Sequence, residues 1–136
     1  MANENRIIED NEVFISRIES LSHLGPNEFK ALRISFPKMK DLNETKRTSG
    51  KTMIIKINAK YARLKYKLSS LQIQDINDMM EFKYPFLSLE EFHYALKHAR
   101  WRAYDKKVDH FGYFDATYVA DVINSYQEWM RTKKRP

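Results

Sequence analysis

The sequence predicts an all-α fold, a compact single-domain bundle of about five to six helices with a mobile loop near residues 41–51. Three observations carry this. Apolar residues recur at helical spacing in several separate stretches of the 136-residue chain. Ser/Thr/Asp signals of the kind that cap helix N-termini stand directly before those stretches. Only three glycines and four prolines are present, too few for the many turns of a β architecture. The length suits one core, and 13% aromatic residues argue against disorder.

From about Glu9 to His23, Phe14, Ile18 and Leu21 form one stripe, giving an acidic N-terminal helix. Gly25-Pro26 stops it, and Pro26 suits the first position of a short second helix carrying Phe29, Leu32 and Phe36 and ended by Pro37. Residues 41–50, Asp-Leu-Asn-Glu-Thr-Lys-Arg-Thr-Ser-Gly, are polar and without period, and read as an exposed loop. Ile54, Ile57, Tyr61, Leu64 and Leu68 then form an unbroken 3-4 seam for a basic central helix, although the β-branched start at Met53-Ile54-Ile55 also fits a short strand. Ser69 and Gln72 make a capping box, with Leu68 and Ile73 as its hydrophobic staple. Ile73, Ile76 and Met80 line one face until Pro85 ends that helix.

A C-terminal helical pair follows. Ser88 with Glu91 is a further capping box, stapled by Leu87 and Phe92, and opens a helix from about Leu89 to Arg102. Asp115 caps the last helix, about Ala116 to Thr132, whose apolar stripe is Val119, Val122, Ile123, Tyr126, Trp129 and Met130.

Charge separates the regions. The net charge is +6, yet residues 29–68 alone carry twelve basic and two acidic side chains, while residues 1–28 and 69–91 are each net acidic. No acidic residue lies between Lys46 and Leu71. Lys56, Lys60, Arg63 and Lys67, with Lys51 nearby, fall on the face opposite the apolar seam. Solvated helix faces ordinarily mix signs to form i, i+4 pairs, so an unmixed face points to a polyanionic or acidic partner. A second basic set, Lys97, Arg100, Arg102, Lys106 and Lys107, is interleaved with Tyr94, Trp101 and Tyr104, and aromatics beside cations can stack bases. At helical spacing Trp101 is read as core rather than as a stacking platform. The expected nucleic-acid-binding residues are Lys51, Lys56, Lys60, Arg63, Lys67, Arg100 and Arg102.

Other chemistry finds little support. Ser49-Gly50-Lys51-Thr52 matches the tail of a phosphate-binding loop, but Thr45 stands where that pattern needs glycine. His93 and His98 are five apart, about 140° around a helix, and do not form an i, i+4 metal pair. Asp105, Asp109, His110 and Asp115 lie close in sequence, but Asp115 is accounted for as a cap. No catalytic residue, cofactor or metal is expected. The absence of cysteine, of a signal peptide and of an apolar membrane span suits a soluble cytoplasmic protein.

The order Ile73, Tyr84, Leu87-Ser88-Leu89-Glu90-Glu91-Phe92, Ala95, Ala99-Arg100, then Phe111-Gly112-Tyr113-Phe114-Asp115, Val119, Ile123 and Tyr126 resembles a group of small helical proteins. Those are carried by phages and mobile elements of Bacteroidota, often beside replication genes. The segment between Arg100 and Phe111 is longer than the usual turn of that group. The resemblance implies a helicase-loader or replisome-organiser type of role and carries over no catalytic residue. The expected function is thus a non-enzymatic adaptor contacting DNA or RNA, or a replication protein, through the basic helix. The alternative is an inhibitor that binds a host defence or replication protein.

Overall fold

The computed structural model describes residues 11–133. Six α-helices account for nearly all of its regular structure: α1 (Asn11–Ser22), α2 (Pro26–Leu32), α3 (Glu44–Tyr61), α4 (Ser70–Lys83), α5 (Leu89–Arg100) and α6 (Ala116–Arg131). Two 3₁₀ turns, Arg33–Ser35 and Met39–Asp41, join α2 to α3, and there is no strand among the described residues. The all-α bundle expected from the sequence is therefore present. Glu9, at the expected start of α1, lies outside the described residues.

The capping signals fall where the local chemistry requires. Pro26 begins α2 after Gly25. Ser69 accepts from the Gln72 amide while Gln72 returns to the Ser69 amide, closing the box at α4. Ser88 accepts from the Glu91 amide and Asp115 from the Tyr118 amide, opening α5 and α6. At α5 the box is only half formed, because the Glu91 carboxylate accepts a hydrogen bond from the Tyr126 hydroxyl at 2.7 Å.

The loop expected near residues 41–51 is instead the start of α3. Asn43 caps it by accepting from the Lys46 amide at 2.8 Å. Thr45, Thr48, Ser49 and Gly50 are weak helix formers, and packing supplies what propensity lacks. Arg47 bonds to Glu81 of α4 and to the Leu42 carbonyl. Gly50 lies against Leu89, where an added Cβ would come within 2.5 Å of the leucine Cδ1. Residues 52–57 are helical, which settles the strand alternative. The seam also differs from the 3-4 reading. The buried residues of α3 are Gly50, Lys51, Ile54, Ile55 and Asn58, and the helix stops at Tyr61, which is exposed, so Leu64 and Leu68 lie beyond it.

α5 is the axis of the molecule. Every residue from Leu87 to Ala99 is buried, because α1, α3 and α6 all pack against this helix. α4 packs on α3 and α6. On one side the core is apolar and aromatic: Phe92, Tyr94, Val119, Val122, Ile123 and Tyr126 are fully buried, and Phe29 stacks on Tyr94 at 3.7 Å between ring centroids. On the α1 side it is polar. Arg17 pairs with Glu90 at 2.5 Å, Glu19 with both His93 and Lys97, and Ser22 accepts from Lys97 and, through its carbonyl, from His98. Buried charges are tolerated only when paired in this way.

Candidate nucleic-acid interface

The basic residues separate into three environments. Lys56 and Lys60 project from the exposed side of α3, Arg63 follows its C-cap, and Lys67 stands in the segment leading to α4. All four are exposed, and none forms an ion pair with any described residue.

Lys51 does not belong with them. Its side chain is buried, donates to the Asn77 carbonyl at 3.1 Å and lies 3.5 Å from Glu81. Burial pushes its pKa down, against the opposing pull of Glu81. It is a strut between α3 and α4, because a helix replaces the loop that would have exposed it. The Ser49–Thr52 stretch lies inside that same helix, without the open backbone a phosphate-binding loop presents.

The second basic set is likewise divided. Lys97 is buried on Glu19 and Ser22, and its ammonium lies 4.7 Å from the Trp101 ring centre. Trp101 itself is 54% exposed rather than core, since α5 ends at Arg100 and the tryptophan turns outward. Tyr94 and Tyr104 are buried. Lys107 approaches Asp109 at 3.9 Å.

Arg100 and Arg102 do something the sequence does not show. With Arg63 they line one cleft of about 350 Å³ between the C-terminal ends of α3 and α5, whose wall includes Tyr61, His110 and Tyr118. The two helix ends share one backbone feature. The residue after each C-cap adopts the left-handed conformation that usually selects glycine, and both are arginines: Arg63 at φ 52° and Arg102 at φ 56°. The far wall is anchored by the 110–113 turn, where the Gly112 carbonyl accepts from the Lys65 and Tyr66 amides. Gly112 sits at φ 89°, with no room for a Cβ beside Lys65.

Among the described residues, Arg100 is fixed in place without a carboxylate partner. It donates to Asn58 Oδ1 at 2.7 Å, and its guanidinium lies 5.2 Å from the Tyr61 ring centre. Asn58 Nδ2 donates to the Ile54 carbonyl and to His93 Nδ1 at 3.0 Å. His93 therefore carries its proton on Nε2 and donates it to Glu19 at 2.7 Å. A continuous polar chain thus runs from Glu19 in α1 through α5 and α3 to the cleft. Burial keeps His93 below the usual imidazole range, with Glu19 pulling the other way. Burial works to raise Glu19, but its hydrogen bonds from Lys97 and His93 prevail and hold it below the ordinary carboxylate range. Arg100 is lowered by burial, and Tyr118 is raised by burial against the opposing charge of Arg100.

Three of the four candidate metal residues are engaged locally. Asp109 accepts from the Phe111 amide, His110 Nδ1 from the Gly112 amide, and Asp115 caps α6. Among the described residues no group of three or more His, Asp or Glu side chains could hold a metal ion, and no helix is long and apolar enough to cross a membrane. Sequence reasoning missed Asn58, Tyr61 and Tyr118 as cleft residues. The one local signal was an arginine directly behind each of two helices, where glycine is the common choice. Comparison with protein-family models, with curated proteins and with solved structures finds no match for this chain.

Proposed function

We propose that this protein is a non-enzymatic adaptor that binds DNA or RNA through the phosphate backbone, using Lys56, Lys60, Arg63 and Lys67. The observation behind this reading is that these four cations are exposed and lack a counter-charge among the described residues. Exposed cations make sequence-independent phosphate contacts whose strength depends on counter-ion release. Arg63 joins that surface to the arginine-lined cleft, and both belong to the same interface. The resemblance of the C-terminal part to phage and mobile-element proteins suggests a setting beside a replication protein.

Titrating a labelled duplex with the full chain at rising salt tests the reading. Affinity should fall linearly in log–log form. The triple variant Lys56→Glu, Lys60→Glu, Lys67→Glu should lower the slope by about three, at roughly 0.9 per phosphate contact on duplex DNA. Binding that ignores salt, or a triple variant that binds like the parent, refutes it.

A second reading, inhibition of a host defence or replication protein, has its own support. Leu71 and Phe82, 83% and 91% exposed, stand three turns apart on the outward face of α4 with Asp75 and Asp78 between them. Retention of one stoichiometric partner from nuclease-treated lysate, lost on Phe82→Ser, would favour it.

A further inference from the structure

Resting on the nucleic-acid reading above, we propose that the cleft between the ends of α3 and α5 holds one unpaired nucleotide of a single strand. Its phosphate lies among Arg63, Arg100 and Arg102, and its base lies on the Tyr61 side.

Charge is the first ground. Three arginines line a cleft whose only lining carboxylate among the described residues is Asp109, and Asp109 is already committed to the Phe111 amide and to Lys107. The C-terminal ends of α3 and α5 also welcome cations, each with about half a negative charge. Granting both helix ends and the whole of Asp109, about one positive charge is left uncompensated. Arg100 makes the point most clearly, because it is half-buried and, among the described residues, its guanidinium is held by neutral groups, the Asn58 amide oxygen and the Tyr61 ring. A desolvated guanidinium of fixed geometry is suited to bidentate recognition of a phosphate.

Shape is the second ground. About 350 Å³ matches the lower end of small-ligand pockets and admits one nucleotide, whereas a base pair within a stack has no way in. Aromatic faces supply the sequence-tolerant part of single-strand binding. Tyr61 is 61% exposed at the rim, and its ring is steadied by Arg100. A duplex would reach the outer arginines and the α3 lysines but leave the cleft empty. The consequence is a preference for single strands, or for strands with an unpaired nucleotide, that the lysine face alone would not give.

The experiment compares a labelled oligothymidylate with a blunt-ended, fully paired two-strand duplex of equal charge, using fluorescence anisotropy and the full chain. Tyr61→Leu should weaken oligothymidylate binding about fivefold or more, the lower end of what one base stack contributes, and leave the duplex within about twofold. Arg102→Gly, which suits the left-handed backbone and so keeps the fold, should also weaken the single strand more than the duplex. Equal losses on both ligands, or no loss on the single strand, overturn the nucleotide pocket while leaving the lysine face intact. Conversely, Lys56→Glu with Lys60→Glu should weaken both ligands. If those changes do nothing while Tyr61→Leu still weakens the single strand, the lysine face is wrong and the pocket stands. A parent protein that binds no oligothymidylate at low salt overturns the pocket outright.

Discussion

Replacing Arg63 and Arg102 in parallel by glycine and by alanine separates the backbone of the cleft from its chemistry. Both residues have positive φ, 52° and 56°, where a Cβ crowds the following carbonyl and costs an L residue roughly 1 kcal/mol or more. Glycine is free of that cost, although it surrenders about 0.5–1 kcal/mol more chain entropy than alanine on folding. Alanine keeps the strain. Both substitutions remove the guanidinium and its favourable contact with the helix end, about 0.3–1 kcal/mol, so this contribution cancels in the comparison. At each site the glycine variant should exceed the alanine variant by about 0.5–1 kcal/mol. The double substitutions should then differ by about 1–2 kcal/mol, provided the sites behave additively. For a chain of this size that is a difference of about 4–8 °C in melting temperature. The order is the reverse of that inside a helix, where glycine is the worse residue by about 1 kcal/mol. Calorimetric melting of the four single variants and the two doubles reads this directly. Alanine variants as stable as the glycine variants would refute the left-handed caps. In the same proteins, oligothymidylate affinity should fall alike for glycine and alanine, since both lack the cation.

Two further perturbations probe the buried charges. Lys51→Ala should cost about 2 kcal/mol or more in urea unfolding, because the 1% exposed side chain bridges α3 and α4, and should leave nucleic-acid affinity unchanged; a weakened salt-dependent binding with unchanged stability would return Lys51 to the surface. Stability should also fall as pH drops below about 6.5. His93 and His98 are held below the usual imidazole range by burial, so the unfolded chain takes up protons first, and stability present above that pH is lost on acidification. Glu91, pushed up by burial, acts in the opposite sense and nearer the carboxylate range. Urea midpoints should be lower at about pH 5.5 than at about pH 7.5; a flat or rising profile would refute neutral, buried imidazoles.

What could be read from the chain was what depends on neighbours in sequence. The caps at Ser69, Ser88 and Asp115 use a side chain and an amide three residues on, and all three form as expected. The stripe of α6 also survives intact, with Val119, Val122, Ile123, Tyr126, Trp129 and Met130 all buried. Features that depend on distant partners were hidden. The start of α3 is polar and glycine-bearing, and Glu81 and Leu89, over thirty residues away, hold it as a helix. In α5, Glu90, His93, Lys97 and His98 look like surface residues until α1 covers them. Lys97 thereby reads in the sequence as a member of a basic set to which it does not belong. The cleft escaped for the same reason, since Arg63 and Arg100 become neighbours only when α3 and α5 end side by side.

The Asn58 amide has two unlike ends, and the fold uses both. Its nitrogen faces a ring atom that has no hydrogen, and its oxygen faces a cation. Turning the amide over would set a hydrogen-bond acceptor against an acceptor on one side and donor against donor on the other. The polarity of the whole wire is consequently fixed by one buried side chain. The first helix of the bundle and the rim of the cleft are thereby two terminals of a single oriented circuit, and the posture of the guanidinium at one terminal is inherited from the carboxylate at the other.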